Sequence, residues 1–297
     1  YTFQIRRIPI SAITDIGKDR DQNEDAIAIC PDLQQPRWDK TAESVDLGPQ
    51  GSLMIVADGM GGANAGEVAA NLAIESMKES FSSTKFAEIA LAPTDDSIKE
   101  FLQEAITAAD KTIDDHVIQH PETMGMATTI VVCWILHEKA YIAWCGDSRC
   151  YVFSPKTGLK LLTKDHSYVQ ELVDKGDLTE EEAFNHPDNN IITNGLGCFD
   201  MPSIADIVIH PIQTNDVVLL CSDGLSGYCR DKDIEKELSR HHRNLNKCCE
   251  KLLDDALDAG GGDNISIALA GFNDDSIHAQ QHKSVIRDFF KRLLRTK

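Results

Sequence analysis

The chain has 297 residues, of which 42% are hydrophobic, and this is enough for one large domain or two small ones. Its formal net charge of −19 argues against nucleic acid as the main partner, because phosphate backbones bind Lys and Arg. No run of the sequence is apolar for long enough to predict a membrane span.

Strand-like segments rich in Ile, Val and Thr alternate irregularly with helical segments along the chain. Strands are predicted at 2–8, 10–15, 26–30, 52–58, 127–136, 139–153, 204–209, 216–222 and 265–272. Helices are predicted at 66–81, 96–120 and 245–259. Thr179 and Glu182 predict a capping box for a further short helix. Because strict βαβ alternation is absent, this order favours an α+β fold in which helices cover largely antiparallel sheets.

Two segments stand apart from this pattern. Residues 31–50 are polar and lie between two predicted strands, so we expect a surface loop there. The last segment, KSVIRDFFKRLLRTK at 283–297, carries six Lys and Arg and predicts a basic amphipathic helix. We favour packing on the protein's own acidic surface or a lead into a further domain over contact with a membrane or partner. The chain is accordingly divided into one domain at 1–275 and a C-terminal helix or linker at 276–297.

Nine cysteines are scattered through the chain. The count is odd, no Cys-x-x-Cys pair occurs, and several of the cysteines lie in apolar runs such as VVCWIL. This pattern is typical of buried thiols in a reducing compartment, so we expect no disulfide framework and a cytoplasmic location. The first residues, YTFQIRRI, do not predict a signal peptide.

Acidic residues recur at the boundaries of strands that are predicted to be buried. They are Glu24, Asp25, Asp58, Asp147, Asp223 and Asp263. A single acid in such a place usually caps a strand or forms a turn. Five junctions of this kind, two of them followed by Gly, predict that the acids share a function.

Buried carboxylates repel one another and lose hydration, so they stay ionised only when a cation pairs with them. Oxygen ligands suit hard cations such as Mg²⁺ or Mn²⁺, whereas Zn²⁺ favours His and Cys, and none of these acidic motifs contains His. Gly59 allows a close approach of the backbone, which makes its carbonyl available as a further ligand. An Asp that bridges two metal ions about 3.5–4 Å apart is the arrangement of two-metal hydrolases.

Arg20 lies just before the acidic pair Glu24-Asp25. Its guanidinium fork matches the oxygens of a phosphate, which predicts a phosphate clamp. The alternative is a plain salt bridge between Arg20 and a nearby acid, and the residues alone do not decide between the two.

In their order, these motifs resemble the metal-dependent Ser/Thr protein phosphatases of the 2C type, and residues 162–197 look like the corresponding segment of the bacterial branch. The matching segments are R-D-Q-N-E-D at 20–25, V-A-D-G-M-G-G at 56–62, G-D-S-R at 146–149, S-D-G-L at 222–225 and G-D-N-I at 262–265. The resemblance runs from about residue 10 to residue 272. Each motif alone is weak, but the ordered set is specific.

The resemblance implies a four-layer α/β/β/α sandwich with two central antiparallel β-sheets and metal ions, Mn²⁺ or Mg²⁺, at one edge. It implies that Asp58 bridges two ions and that Gly59 contributes its carbonyl. Asp223 and Asp263 would complete the shell of one ion, and Glu24 and Asp25 would serve the other directly or through water. Asp147, with Asp223, would hold a third and weaker ion.

The same resemblance implies that Arg20 binds the substrate phosphate and that Asn264 supports Asp263. Residues 167–190 would form a variable flap beside the site. The implied reaction is hydrolysis of phosphoserine and phosphothreonine in proteins by a water or hydroxide that bridges the metal ions. We therefore expect a phosphorylated protein as the partner, no nucleic acid, and a monomer.

The chain departs from the family pattern at two positions. Animal members carry His after the Asp-Gly, where this chain has Met60, and many bacterial members carry His after the Gly-Gly, where it has Ala63. The proton for the leaving alkoxide therefore has no obvious donor. A metal-bound water, His166 or His186 are candidates, although a His in such a sequence is more often structural. Loss of a general acid typically costs about 10²–10⁴-fold in rate.

Two other functions stay open at this point. A catalytically weak 2C-like module that binds a phosphoprotein or a regulator would explain the missing His residues, but the complete set of acids argues against it. A two-metal nuclease or nucleotide hydrolase is disfavoured by the charge of −19 and by the lack of a basic groove.

Overall fold

The computed structural model describes residues 7–38, 42–61, 65–198 and 202–272. The predicted basic helix at 283–297 and most of the predicted strand at 2–8 lie outside these residues. The division of the chain at residue 275 therefore stays a prediction.

The described residues form twelve strands and eight α-helices. The strands are β1 (Arg7–Asp15), β2 (Asp25–Cys30), β3 (Ala42–Asp46), β4 (Ser52–Met60), β5 (Ala127–Thr128), β6 (Ile130–Leu136), β7 (Lys139–Cys145), β8 (Arg149–Ser154), β9 (Gly158–Leu161), β10 (Asp206–Pro211), β11 (Val217–Cys221) and β12 (Ile265–Gly271). The helices are α1 (Ala65–Ser80), α2 (Thr84–Leu91), α3 (Asp95–Gln119), α4 (Tyr168–Lys175), α5 (Glu180–Phe184), α6 (Asp223–Ser226), α7 (Asp231–His241) and α8 (Leu245–Asp258). A short 3₁₀ helix spans Pro121–Thr123.

Two antiparallel sheets form the centre of the molecule. The first sheet has the strand order β3-β1-β12-β11-β8-β9, and the second has the order β10-β7-β6-β4-β2, with β5 paired to the end of β4. Apolar side chains from both sheets, such as Ile10, Val56 and Leu220, meet between them. Helices α1 and α3 cover the outer face of the second sheet, and α7 and α8 cover that of the first. The predicted α+β fold, a four-layer sandwich with two antiparallel sheets flanked by helices, is confirmed.

An aromatic cluster holds the helical layer to the second sheet. Phe81 packs edge-on against Phe101 and Trp134, with ring centroids 5.0 and 5.4 Å apart. The indole Nε1 of the fully buried Trp134 donates a hydrogen bond to the carbonyl of Gln50 at 2.9 Å. The one polar atom of this ring is thus satisfied inside the apolar layer.

The structure corrects the single strand that was predicted at 139–153. This segment forms two strands, β7 and β8, which belong to different sheets. Between them Gly146 has φ +110°, and a Cβ there would lie 2.6 Å from the Cβ of Thr129. Only glycine fits such a backbone, so the chain leaves one sheet here and enters the other.

The loop that was predicted at 31–50 is also wrong in part, because it contains β3. Within the described part of the chain this strand pairs with β1 alone, at the edge of the first sheet. An edge strand can be polar, since it has one paired side only, and the sequence pattern therefore does not reveal it. The described end of the strand predicted at 2–8 continues into the strand predicted at 10–15, and both belong to β1. The register of β1 shifts between Ile8 and Ile10, around Pro9, which has no N–H to donate.

The helix predictions are close to the observed elements. Those at 66–81, 96–120 and 245–259 correspond to α1, α3 and α8, and the capping box of Thr179 and Glu182 is present at the start of α5. No helix among the described residues has both the length and the apolar character needed to cross a membrane.

All nine cysteines lie in the described parts of the chain, and none of them forms a disulfide there. Eight are buried and Cys198 is partly exposed. Burial raises the pKa of Cys133 and that of Cys249 to about 12. These thiols behave as small apolar core residues at neutral pH.

Candidate metal centre

Two neighbouring strands of the second sheet place the first acids side by side. Asp25, at the start of β2, lies opposite Asp58, near the end of β4. The amide of Gly59 donates to the carbonyl of Glu24 at 3.2 Å, which extends this pairing by one step. Glu24, Asp25, Asp58 and Gly59 therefore lie together at one edge of the sheet, as the sequence predicts.

The first sheet contributes acids to the same edge. Asp223 begins α6 directly after β11, and Asp263 stands two residues before β12. The hydroxyl of the fully buried Ser222 donates to Asp25 Oδ2 at 2.8 Å, and Ser222 Oγ accepts from the amide of Ser266 at 3.0 Å. Ser222 thus joins the ends of strands from both sheets directly beneath the acids.

Asp147 reaches this edge from the link between the sheets. It follows Gly146 at the end of β7, and only 8% of it is exposed. Burial, and then the negative charge of Asp223, raises the pKa of the Asp147 carboxyl well above its usual range. Asp147 therefore lies with the other acids because the chain crosses from one sheet to the other at this point.

Burial raises the pKa of four of these carboxyl groups, and the charges of neighbouring acids add to the shifts. The four are Asp25, Asp58, Asp147 and Asp223. Burial brings the pKa of Asp25 to about 8 and that of Asp223 to about 6, and Asp263 adds to both shifts. The pKa of Asp58 is well above its usual range because of burial and the charges of Asp25 and Asp223. A set of carboxyl groups that resists ionisation in this way favours a bound cation.

Unsatisfied oxygens give the test of whether these residues fit a metal ion. Asp25 Oδ1 and Asp223 Oδ1 are buried and have no hydrogen-bond partner. A buried carboxylate oxygen without a partner is unfavourable unless a cation meets it. An all-oxygen set of this kind fits a hard divalent cation such as Mg²⁺ or Mn²⁺.

The cluster is not a closed cage. Among the described residues, no group of three or more Asp, Glu, His or Cys side chains is already close enough together to hold a metal ion. The acids thus share one edge and shift each other's pKa without converging on a single point. The role of each acid as a ligand is therefore a matter for proposal.

Glycines explain how the covering helix comes so close to the end of β4. A Cβ on Gly59 would lie 2.1 Å from the carbonyl oxygen of Gly66 and 2.6 Å from that of Glu24. Gly66 lies in the first turn of α1, so this helix begins directly against the edge that carries Asp58. Gly62 and Ala63, which the sequence analysis also singled out, lie outside the described residues.

Arg20 points to the acidic edge and forms a salt bridge there. Its Nη2 donates to Asp263 Oδ2 at 2.7 Å, and 49% of the Arg20 side chain is exposed. This is the salt bridge named above as the alternative to a phosphate clamp. The same contact places the exposed guanidinium at the mouth of the acidic cluster, where a phosphate would arrive.

Asn264 does more than support Asp263. Its backbone N–H donates to Asp263 Oδ1 at 2.8 Å, and its side-chain Oδ1 accepts from the backbone amide of Glu24 at 2.7 Å. Its Nδ2 donates to the carbonyls of Ile16 and Gln22, each at 2.9 Å. One buried side chain therefore fixes the loop before β2 and the loop before β12 against each other.

Sequence reasoning missed two threonines that hold the backbone of Asp58, and a serine that contacts one of them. The amide of Thr129 and the hydroxyl of Thr128 donate to the carbonyl of Asp58 at 2.8 and 2.9 Å, and Thr129 Oγ1 accepts from its amide at 3.2 Å. Thr129 Oγ1 lies 2.7 Å from Ser148 Oγ, beside Asp147. The signal was the pair Thr128-Thr129 before an apolar strand, which is also typical of an ordinary strand.

The two candidate proton donors both accept from backbone amides, and His166 does so next to the segment that carries Asp147. His166 Nδ1 accepts from the amide of Gly146 at 3.1 Å, and its Nε2 lies 3.3 Å from Asp206 Oδ2. His186 Nδ1 accepts from the amide of Asp188 at 3.1 Å. Neither His lines the cavity beside the acids. Both contacts fit the structural role that the sequence analysis considered more common.

A cavity of about 890 Å³ opens from the acidic edge. Asp147, Asp223, Asp263 and Arg20 line one end of it. Its side walls come from the predicted flap at 167–190, which contains α4 and α5, and from residues 226–231 between α6 and α7. A phosphorylated side chain that enters the acidic end would leave its neighbouring residues between these walls.

Comparison with known proteins supports the resemblance to protein phosphatases of the 2C type. Residues 32–259 match the family model described as protein phosphatase 2C. The serine/threonine phosphatase stp of Listeria innocua is 34% identical over 260 residues, which cover 88% of this chain and 94% of that protein. The protein phosphatase PhpP of Streptococcus pneumoniae is 31% identical over 269 residues, or 90% of this chain and 98% of that protein.

Solved structures agree with the sequence matches. Serine/threonine phosphatase Stp1 from Staphylococcus aureus superposes with a TM-score of 0.77 at 29% identity, covering 92% of this chain and 98% of that one. The catalytic domain of the phosphatase PstP, solved in complex with two manganese ions, superposes with a TM-score of 0.70 at 28% identity, covering 90% and 99%.

Proposed function

Because this chain belongs to the protein phosphatase 2C family and is a serine/threonine phosphatase like its relatives, we propose that it removes phosphate from phosphoserine and phosphothreonine side chains with divalent cations held at the acidic edge. The observation that carries the proposal is the pair of buried, unpartnered oxygens, Asp25 Oδ1 and Asp223 Oδ1. These two oxygens need a positive charge beside them, which a bound cation would supply.

The residues at the edge divide into groups by their position. Asp58 stands centrally, where its carboxyl is influenced by both Asp25 and Asp223, and this position supports a bridging role between two ions. Asp223 and Asp263 would serve one of these ions from the first sheet. Glu24 and Asp25, with the carbonyl of Gly59, would serve the other from the second sheet.

A third and weaker ion is proposed beside Asp147 and Asp223. The raised pKa of the Asp147 carboxyl, caused by burial and then by the charge of Asp223, supports this site. The count of two ions in the central site is supported by the structure of PstP, which was solved in complex with two manganese ions. We propose Mn²⁺ or Mg²⁺ because the donor set consists of oxygen atoms.

When bound, the cations would supply Lewis acidity that draws charge from the phosphoryl oxygens and acidifies an attacking water. Arg20 would orient the phosphate, since its guanidinium is exposed at the mouth of the cluster. Thr128 and Thr129 fix the backbone of Asp58, and Asn264 fixes the loops that carry Glu24 and Asp263. These contacts keep the acids in place as charge builds on the phosphate.

This chain differs from the family pattern in the residues that could supply a proton to the leaving oxygen. Met60 cannot donate a proton, and His166 and His186 are engaged away from the cavity. We propose that esters with good leaving groups are hydrolysed faster than alkyl esters for this reason.

The substrate is proposed to be a phosphorylated protein and not a nucleic acid, which agrees with the acidic composition. The absence of disulfides among the described cysteines and their burial support a reducing, cytoplasmic setting. We propose that the chain acts as a monomer, and the partner of the basic tail at 283–297 stays an open part of this proposal.

The test is hydrolysis of p-nitrophenyl phosphate and of a phosphothreonine peptide, with Mn²⁺ and Mg²⁺ titrated separately and EDTA as the control. We expect cation-dependent release of phosphate from both substrates. Release from the aryl ester alone would mean a working centre that lacks a proton donor. Release from neither at full cation occupancy would overturn the proposal and favour a phosphoprotein-binding module.

A further inference from the structure

The cavity beside the acidic edge is larger than a phosphate needs. Its volume of about 890 Å³ lies within the range of pockets that enclose a drug-sized ligand. Phe184 of α5 and Arg230 both line this cavity. Their side chains are in contact, so they form one continuous stretch of the cavity wall.

Three side chains make that contact. Arg230 Nη1 and Nη2 donate to the two carboxylate oxygens of Glu181 at 2.8 and 2.7 Å. The centre of the same guanidinium lies 3.6 Å from the ring centroid of Phe184. A fork that is paired in its plane and stacked on its face has a single well-defined position. We call Arg230, Glu181 and Phe184 the latch.

The latch joins a weakly anchored element to a well-anchored one. Helix α5 has five residues, and Ala183 is the buried one among them. Arg230 stands directly before α7, which is packed into the core through Ile234 and Leu238. Among the described residues, the pair Arg230–Glu181 is the one ion pair that links the flap at 167–190 to α7 and the segment before it. The position of α5 over the cavity therefore depends on Arg230.

Arg230 also keeps donors for a ligand. Its guanidinium has five N–H groups, and the contacts to Glu181 use two of them. The side chain lines the cavity and remains 29% exposed. A peptide that passes through this part of the cavity offers backbone carbonyl groups as acceptors.

We propose that the latch is a specificity element for phosphoprotein substrates, in which Arg230 positions α5 and contacts the peptide next to the phosphorylated residue. This inference rests on the proposed phosphatase function. It separates two parts of recognition: the acidic edge takes the phosphate ester, and the latch takes the polypeptide around it. A small aryl phosphate uses the first part only.

The experiment compares steady-state kinetics on a phosphothreonine peptide and on p-nitrophenyl phosphate at saturating Mn²⁺. For Arg230→Ala we expect the KM of the peptide to rise about three- to thirty-fold, which is the combined size expected of an exposed ion pair and a cation–π contact. Glu181→Gln loses only the ion pair, so it raises this KM by less. The kcat and KM of the aryl phosphate stay within a factor of two of the wild type. Arg230→Lys, which keeps the charge and loses the planar fork, falls between Arg230→Ala and the wild type.

Matched variants show that the effect belongs to the latch. Arg243→Ala removes an exposed arginine that does not line the cavity, and we expect it to leave both substrates unaffected. The double variant Arg230→Glu with Glu181→Arg exchanges the two charges, and we expect it to recover part of the affinity for the peptide that Arg230→Ala loses. Amide hydrogen exchange of residues 180–184 becomes faster in Arg230→Ala and in the milder variant Phe184→Leu, which keeps the measurement informative if one variant folds poorly.

Two results would overturn the inference. Equal losses of kcat/KM on both substrates in Arg230→Ala would mean that the residue supports the catalytic edge or the fold. Unchanged peptide kinetics, in a wild type that hydrolyses both substrates, would mean that the latch has no part in recognition. A wild type that hydrolyses neither substrate would instead count against the proposed function, so the two failures are distinguishable.

Discussion

At Gly59 the structure has room for a hydrogen atom and nothing larger. The carbonyl oxygens of Gly66 and Glu24 approach this position from two sides, and one belongs to α1 while the other belongs to the loop before β2. The residue that follows Asp58 therefore sets the distance between the covering helix and the acidic edge. A substitution there acts on both at once.

We expect Gly59→Ala to lower the free energy of unfolding by about 1–3 kcal/mol, as other overpacked substitutions do. It also reduces cation-dependent turnover, because the helix or the loop that carries Glu24 has to move. Thermal unfolding and hydrolysis of p-nitrophenyl phosphate measure the two effects. Gly271→Ala is the matched control, since a Cβ there would meet its nearest neighbour at an ordinary 3.4 Å. Equal behaviour of the two variants would contradict the argument.

Asp58→Asn tests the central acid. The change keeps the size of the side chain and removes one negative charge, so we expect cation-dependent turnover to be lost while the fold persists. Circular dichroism and a Mn²⁺ titration of activity check the two statements. Asp95→Asn is the control, because Asp95 belongs to an ion pair with Lys139 far along the chain from the acidic motifs. Normal kinetics of Asp58→Asn would remove Asp58 from the proposed ligand set.

The acids could be predicted from the sequence because each one interrupts an apolar run, and that is visible without a structure. Their hydrogen-bond partners could not. Thr129 and Ser148 are 19 positions apart and become neighbours only when β6 and β7 pair. Ordinary residue types at ordinary positions carry no local signal, so nothing in the sequence singles these two residues out.

Among the elements, the three helices with predicted bounds match α1, α3 and α8 to within one residue at every end, whereas no bounds were predicted for α2, α4 and α7. The strand predicted at 139–153 and the loop predicted at 31–50 were wrong. A helix buries a stripe with a period that the sequence displays, as in α3. The residues of β7 and β8 read as one apolar run, because the strands of both sheets are buried on two faces. The break between them depends on the backbone at Gly146, and a single glycine in the sequence does not predict that the chain passes to another sheet.

Helix α3 reaches the acidic edge through a chain of contacts that begins at Asp110. Its two carboxylate oxygens accept from the amides of Gly197 and Ser203 at 2.7 and 2.8 Å. The neighbouring Leu196 exchanges two backbone hydrogen bonds with Thr128, which in turn holds the carbonyl of Asp58. The loop around residue 197 is thus a support of the site that is fixed from the helical layer.

We expect Asp110→Ala to destabilise the protein by about 2–4 kcal/mol, since it leaves two buried amides without an acceptor. Chemical denaturation measures this change. Asp114→Ala, one turn further along α3 and exposed, is the control and changes stability by less than about 0.5 kcal/mol. An effect of Asp110→Ala no larger than that of the control would mean that the amides find other acceptors.

For the whole molecule, the acidic edge links stability to pH. The pKa of Asp25 is raised to about 8 and that of Asp223 to about 6, above the unfolded value of about 3.9. Between these values the folded protein binds more protons than the unfolded chain, so its stability falls as the pH rises. A cation offsets the repulsion that the protons would otherwise relieve.

In EDTA we therefore expect the melting temperature to decrease between pH 5 and pH 8. Saturating Mn²⁺ at pH 8 restores it, and Asp25→Asn makes the dependence in EDTA shallower because one of the responsible carboxyl groups is removed. Differential scanning fluorimetry across this range is the measurement. A melting temperature in EDTA that rises steadily up to pH 8 would contradict the assignment.

The joining of both sheets at one acidic edge has a consequence for the lifetime of the protein in a cell. The residues that suit the cations are the ones whose repulsion weakens the protein without them, and a cation that binds only the folded state adds stability in proportion to the logarithm of its concentration. A shortage of cation then acts twice, first by stopping turnover and then by enlarging the unfolded fraction that proteases degrade. The amount of phosphatase, and not its rate alone, would follow the supply of its metal.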